Sequence, residues 1–161
     1  MALSYSDTDD RLSWIRSFEL MFRRPARLQV AALCRRTRNG KQEVLMITSK
    51  TTRRWILPKG WPIMSRKAHR TAAIEAYEEA GVIGKAHKKP FASFRSHKGG
   101  DGGLKLRTEV LVFLVDVDKT EKDFPERNER DVRWVGVDQA IRMTDDPGLS
   151  GVLKKLRNLA K

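Results

Sequence analysis

The sequence is poor in cysteine and lacks any long apolar run. Of its 161 residues only Cys34 is a cysteine, so no disulfide can form within the chain, and no zinc-ligand spacing surrounds it. Its apolar neighbours in residues 30–34 indicate a thiol buried in the core. No segment reaches the roughly 18 apolar residues that can cross a bilayer, and residues 1–10 are polar and acidic, unlike a secretory signal. We therefore expect a single domain in a reducing cytoplasm, with no membrane insertion.

Acidic residues are scarce relative to basic ones. The chain has 33 Lys and Arg residues against 20 Asp and Glu, a formal net charge of +13, which is large enough to attract anions from a distance. The excess is concentrated in residues 48–70, with seven basic residues and no acid, and in residues 85–107, with seven basic residues and one acid. This pattern predicts an anionic partner, either a small polyphosphate or RNA.

The apolar periodicity divides the chain into two parts. Residues 7–24 carry apolar side chains three or four positions apart and precede Pro25, which predicts a helical extension over residues 1–26. Residues 27–161 form the expected main domain. Its predicted strands are residues 28–35, 43–48, 91–97, 106–117 and 132–137, and its predicted helices are residues 67–80, 138–143 and 149–159. A long helix enclosed by strands on both sides predicts an α/β fold, a mixed sheet covered by helices on its two faces.

Two short signals lie between these elements. The Asn39-Gly40 dipeptide separates the first two strands and predicts a tight hairpin. The prolines around Lys59 and Gly60, at positions 58 and 62, predict a loop before the long helix.

Three glutamates share one side of the helix predicted over residues 67–80. At about 100° per residue, Glu75, Glu78 and Glu79 occupy about a third of its circumference. The opposite side, which we expect to be buried against the sheet, carries Ala73, Ile74, Ala76, Tyr77 and Ala80. Carboxylate oxygens are preferred ligands of Mg²⁺, so the acidic side indicates a metal site. A Glu-rich helix face is also common as an ordinary solvated surface.

Residues 60–82 resemble the Nudix box, whose pattern is G-x5-E-x7-R-E-U-x-E-E-x-G-U with U an aliphatic residue. The matching positions are Gly60, Glu75, Glu78, Glu79, Gly81 and Val82. Two positions depart from the pattern, because Arg66 stands where the family has Glu and Ile74 where it has Arg. These two family residues usually form an ion pair, so replacing both removes a pair rather than leaving one charge alone.

The resemblance extends over residues 29–156, and residues 54–58, 77–82 and 133–135 are most similar to diphosphoinositol polyphosphate phosphohydrolases. Those relatives cleave inositol pyrophosphates and diadenosine polyphosphates. The resemblance implies an α/β/α sandwich and a Mg²⁺ cofactor, with Mn²⁺ as a substitute. It also implies that Glu75, Glu78, Glu79 and the Gly60 carbonyl hold the metal, and that Glu78 and Glu79 are catalytic, with Glu78 as ligand or base.

The basic clusters supply the expected substrate contacts. Ser49 and Lys50 align with phosphate-contacting positions of the resembled family, and Lys105 and Arg107 lie near another such region; Lys59 completes the set. A polyphosphorylated small molecule is therefore the expected substrate. Two alternatives stay open at this point. An RNA 5′-end pyrophosphohydrolase would use an exposed aromatic such as Trp61 for stacking, and a Nudix domain without activity, as Arg66 and Ile74 suggest, would only bind nucleic acid.

Overall fold

The first two strands form the predicted hairpin. The computed structural model describes residues 27–96 and 108–160, and within them strand β1 covers Arg27–Arg38 and β2 covers Lys41–Thr48. Asn39 and Gly40 have φ angles of 51° and 72°, the left-handed conformation that such two-residue turns require. The hairpin prediction is confirmed, with Arg38 facing Lys41 across the turn.

The described strands form one mixed sheet. The further strands are β3 (Trp55–Ile56), β4 (Lys59–Gly60), β5 (Val82–Ala86), β6 (Ala92–Ser96), β7 (Thr108–Thr120) and β8 (Val132–Gly136). The main order is β3-β2-β1-β7-β5, while β4 pairs with β1, β6 with β7 and β8 with β2. β1 and β7 run parallel and the remaining pairs are antiparallel.

Both faces of the sheet are buried. Alternate residues of β1 point to opposite sides, so Val30 and Ala32 belong to one apolar cluster and Ala31 and Leu33 to the other. Helix α1 (Ala68–Ala80) covers the first face. Helices α2 (Val137–Met143) and α3 (Pro147–Leu159) cover the second. The predicted sandwich is confirmed, and Cys34 lies in the first cluster, where burial raises the pKa of its thiol to about 12.

Two strands differ from the sequence predictions. β5 was not predicted, because Gly84 interrupts its apolar pattern; that glycine lies at a bulge where a Cβ would come 2.3 Å from the Asp116 carbonyl oxygen. The loop expected at Lys59 and Gly60 is instead the short strand β4, whose partners Val30 and Ala31 are distant in the sequence. Local proline chemistry alone does not reveal such a pairing.

The helical extension predicted over residues 1–26 lies outside the described residues. In the part of the chain that the structure describes, every helix is too short or too polar to span a bilayer.

Candidate active site

Glu75 lies against the main chain of Gly60. Pairing of β4 with β1 places Gly60 opposite Val30, beneath helix α1. A Cβ built on Gly60 would lie 2.0 Å from the Glu75 Oε1 atom and 2.3 Å from its Cδ atom. The absence of a side chain at this position therefore makes room for the carboxylate. Burial raises the pKa of Glu75, and repulsion from Glu78 and Glu126 raises it further.

Glu79 is buried, contrary to the simple division of α1 into an acidic solvent side and an apolar core side. Its side chain faces inward, and the residue is 5% exposed, whereas Tyr77, expected in the core, is 39% exposed. The buried residues of α1 are Thr71, Ala72, Ala76, Glu79 and Ala80. Small alanines on several sides of the helix leave the apolar pattern weak, so packing rather than composition sets its rotation.

Two donors hold the Glu79 carboxylate. The Lys59 backbone N–H donates to Glu79 Oε2 over 2.9 Å, and the Arg130 guanidinium donates to Oε1. Burial raises the pKa of Glu79 to about 7, while Arg130 and the Lys59 N–H oppose that rise. Glu75 and Glu79 thus both meet the short strand β4, whereas Glu78 stays exposed.

Sequence reasoning did not identify Arg130 as a site residue. Its side chain is 9% exposed and also contacts Glu126, with 2.7 Å between Arg130 Nε and Glu126 Oε2. Arg130 Nη1 donates to the Thr48 carbonyl oxygen over 3.1 Å. The sequence gives one signal for the contact with Glu126, which is its spacing of four positions from Arg130. Nothing near Arg130 in the sequence indicates the contact with Glu79.

Of the predicted phosphate contacts, Ser49 and Lys59 come together. Both line a cavity of about 160 Å³, together with residues of β3, β6 and the start of α3. Burial lowers the pKa of Lys59, and its Nζ atom donates to Gln29 Oε1 over 2.8 Å. The Ser49 hydroxyl lies 2.7 Å from that of Thr52.

Lys50 does not line this cavity and instead contacts two glutamates. Its Nζ atom lies 2.6 Å from Glu126 Oε1 and 2.6 Å from Glu129 Oε2, so these two carboxylates hold the lysine. A phosphate reaching Lys50 must therefore compete with them. Lys105 and Arg107, the other two expected contacts, lie outside the described residues.

The pattern that defines the NUDIX domain matches residues 27–156. The chain belongs to the Nudix family. Two relatives from Arabidopsis thaliana are Nudix hydrolase 12, mitochondrial, 33% identical over 111 residues, and Nudix hydrolase 13, mitochondrial, 31% identical over 109 residues. Each match covers 65% of this chain and 53% or 54% of the relative, so the chain spans about half the length of these relatives. The location in their names is mitochondrial, and the cytoplasmic location expected for this chain stays a prediction.

Solved Nudix structures share the fold. The Ap4A hydrolase of C. elegans superimposes with a TM-score of 0.69 at 17% identity, over 84% of this chain and 99% of that chain. The NUDIX domain of Shewanella oneidensis NrtR, solved with ADP ribose, gives a TM-score of 0.65 at 11% identity, over 93% and 98% of the two chains. At such identities the likeness concerns the fold alone.

The two departures from the Nudix box lie in different surroundings. Arg66 lines an open surface cavity with Ser65, Lys67 and Arg70, near the start of α1. Ile74 is half-buried on the helix. The first turn of α1 contains no acidic residue, so the start of this helix is basic.

The donor set fits the divalent metal ions that Nudix hydrolases generally use. Glu75 and Glu79 are carboxylates whose pKa values are raised by burial, beside a glycine main chain that leaves room for them. Bringing a cation between such groups relieves their desolvation and mutual repulsion. Within residues 27–96 and 108–160 the carboxylates are not yet gathered into a group of three or more around one point. A cation would have to draw them together.

Proposed function

We propose that this Nudix chain is a Mg²⁺-dependent hydrolase that cleaves a phosphoanhydride bond in a polyphosphorylated small molecule, either a diadenosine polyphosphate or an inositol pyrophosphate. The observation that carries the proposal is the meeting of Glu75 and Glu79 with strand β4, next to the cavity that Lys59 and Ser49 line. The two carboxylates thus contact residues 59 and 60 of β4, and the Lys59 side chain lines the adjoining cavity with the Ser49 hydroxyl.

The residues that would hold the metal are Glu75, Glu78 and Glu79, with the main-chain carbonyl of Gly60; Mn²⁺ would substitute for Mg²⁺. When bound, such an ion neutralises charge on the phosphate oxygens and lowers the pKa of a water molecule. Glu78 is the carboxylate best placed to accept a proton from water, because its side chain is exposed while Glu79 is buried.

The surrounding cations would bind and orient the phosphate chain. Lys59 lines the cavity beside β4, and the Ser49 hydroxyl lines the same cavity. Lys50 would join them by exchanging Glu126 and Glu129 for phosphate oxygens. Lys105 and Arg107 complete the proposed set as further phosphate contacts. A substrate with many phosphates uses these cations more fully than a nucleoside diphosphate sugar, which has only two phosphates.

A panel of substrates tests the proposal. We expect diadenosine tetraphosphate or an inositol pyrophosphate to be hydrolysed faster than ADP-ribose, an oxidised nucleoside triphosphate or triphosphorylated RNA. Products are identified by mass spectrometry, with Mg²⁺ present and, as a control, with excess EDTA, which should abolish turnover. A higher rate on ADP-ribose or the oxidised nucleotide would contradict the proposed substrate class but not the chemistry.

The same panel separates the two alternatives. The Trp61 ring is half-exposed with the Arg27 guanidinium carbon 5.9 Å from its centroid, which is a suitable platform for a base. Equal or faster turnover of the RNA end would therefore favour the RNA pyrophosphohydrolase. Salt-sensitive RNA binding with no turnover of any substrate would favour a domain that only binds nucleic acid.

Replacing Lys50 with alanine should weaken substrate binding more than it slows the reaction. Lys50 is exposed and held by carboxylates, so it would supply binding that is equal in the ground state and the transition state. We expect KM for the preferred substrate to rise roughly threefold to tenfold while kcat changes by less than about twofold. Steady-state kinetics measure both.

Lys119→Ala is the matched control for Lys50→Ala. Lys119 is also an exposed lysine, and its Nζ atom lies 2.8 Å from Glu121 Oε1 at the far end of β7. This control should leave both constants unchanged. An unchanged KM in Lys50→Ala would remove Lys50 from the proposed substrate contacts.

A further inference from the structure

Three groups of the protein hold the Arg130 side chain. Its guanidinium contacts the Glu79 carboxylate, the Glu126 carboxylate and the Thr48 carbonyl oxygen, and its side chain is 9% exposed. The next residue, Asp131, ties this segment to the end of β2. The Asp131 N–H donates to Thr48 Oγ1 over 2.9 Å, and the Thr48 N–H donates to the Asp131 carbonyl over 3.0 Å. Arg130 is thus fixed by main-chain contacts as well as by its ion pairs.

Helix α1 has no cation of its own near Glu79. After Arg70 the helix continues with small, apolar and acidic residues to its end, and box position 74 is isoleucine. A carboxylate as buried as Glu79 needs a cation or several hydrogen bonds to compensate for its lost hydration and to fix its direction. The Lys59 N–H supplies one such hydrogen bond, and Arg130 supplies the cation.

We propose that Arg130 is a positioning residue for Glu79. It holds the carboxylate in place beside Lys59 of strand β4, next to Gly60, and so orients Glu79 to bind the divalent ion. The inference rests on the proposed function, because it assigns Arg130 a role in the same metal site. Arg130 itself need not touch the metal or the substrate to act in this way.

The planar shape of the Arg130 guanidinium allows it to make three contacts at once. Nε, Nη1 and Nη2 of Arg130 each make a separate contact, to Glu126, Thr48 and Glu79. The single ammonium of a lysine cannot reproduce three directed contacts from a planar fork. Charge alone is therefore not expected to restore the arrangement, and Arg130→Lys should fall between the wild-type protein and Arg130→Gln.

Metal binding measured without substrate tests the role of Arg130. Groups that orient metal ligands typically contribute tenfold to a hundredfold to metal affinity or activity. By isothermal titration calorimetry, we expect Arg130→Gln to bind Mn²⁺ at least about tenfold more weakly than the wild-type protein. Arg130→Lys should bind Mn²⁺ roughly threefold more weakly, which is half of that loss in free energy. In hydrolysis, kcat at saturating substrate should fall more than KM rises.

Arg127→Gln provides the matched control. Arg127 lies in the same segment but is exposed, and it pairs with Asp123 rather than with the site. It should bind Mn²⁺ as the wild-type protein does. Thermal melts of all variants show whether each is folded; Arg130→Lys keeps the charge and so provides a folded variant if Arg130→Gln does not fold.

A double-mutant cycle shows whether Arg130 acts through Glu79. If it does, Glu79→Gln combined with Arg130→Gln should bind Mn²⁺ no more weakly than Glu79→Gln alone. Additive losses, or an Arg130→Gln protein with wild-type Mn²⁺ affinity, would overturn the inference and leave the proposed function standing. A wild-type protein that neither binds Mn²⁺ nor hydrolyses any substrate of the panel would contradict the proposed function itself, and the inference with it.

Discussion

Replacing Glu79 with glutamine should lower kcat by at least about a hundredfold at saturating Mg²⁺. Glutamine keeps the size and helix propensity of the residue but removes the charge that a metal ion would bind. Its carbonyl oxygen could still accept from Arg130, yet its NH₂ group would then face the Lys59 N–H, which is also a donor. Losses of this order follow when a key electrostatic contact or a proton transfer is removed.

The control for this substitution is Glu109→Gln on β7, where the glutamate is exposed and far along the chain from the box. It should retain full activity. If Glu79→Gln keeps most of its activity at saturating Mg²⁺, Glu79 is not a metal ligand, and the buried carboxylate has only a structural role with Arg130.

Glu79 should also give the metal-free protein a measurable pH dependence. Its pKa is about 7 in the folded protein against an ordinary value of 4.5. The folded state therefore keeps a proton that the unfolded chain has already lost, so Glu79 supports folding fully below about pH 4.5. This support is lost as the pH rises toward and through about 7.

Urea unfolding in EDTA at about pH 5 and about pH 7.5 measures this dependence. The free energy of unfolding of the wild-type protein, relative to that of Glu79→Gln, should fall by on the order of 1–3 kcal/mol between the two conditions. A difference that does not change with pH would mean that folded Glu79 is already ionised at about pH 5.

Replacing Gly60 with alanine should disable the site while leaving the fold intact. The added methyl carbon would lie 2.0 Å from Glu75 Oε1 and 2.8 Å from Oε2, so the carboxylate must move away from the main chain. Because the displaced atoms are the flexible end of a side chain, the fold can tolerate the move. We expect kcat to fall at least about tenfold, since small displacements of ligands that orient a reaction are costly.

Thermal melts with Mg²⁺ give a second measurement on Gly60→Ala. At about a hundred times its dissociation constant, an ion that binds only the native state adds roughly 2.7 kcal/mol. The wild-type protein should gain stability of this order, and Gly60→Ala should gain less, as should Glu75→Gln. Equal gains in all three proteins would place the stabilising ion somewhere else.

Gly151→Ala is the matched glycine control. Gly151 is exposed within α3, and a Cβ there meets no atom within 4 Å. Alanine in a helix interior is favoured over glycine by roughly 0.5–1 kcal/mol, so this variant should be slightly more stable and fully active. Loss of activity in both glycine variants would point to a general effect on the fold rather than to contact with Glu75.

Local chemistry explains which parts of the structure were predictable. The turn at Asn39 and Gly40 and the end of α1 at Gly81 depend on left-handed φ angles that glycine and asparagine adopt readily. At Gly81 a Cβ would also lie 2.5 Å from the Glu121 carbonyl oxygen. Such signals involve neighbouring residues, and the predicted and observed elements agree at both places.

The sequence by itself determined the family, the sandwich of helices on a mixed sheet and the helix that carries three glutamates, because each follows from a spacing along the chain. Only the tertiary structure decided where each glutamate lies and what it contacts. Gly60 meets Glu75 through the pairing of β4 with β1, and Arg130 reaches Glu79 from 51 positions away. Glu79 is buried and Glu78 is exposed because of the way α1 packs on the sheet. Side chains one position apart on a helix differ by about 100° in direction. A small rotation of the helix therefore decides which of the two glutamates loses its contact with water.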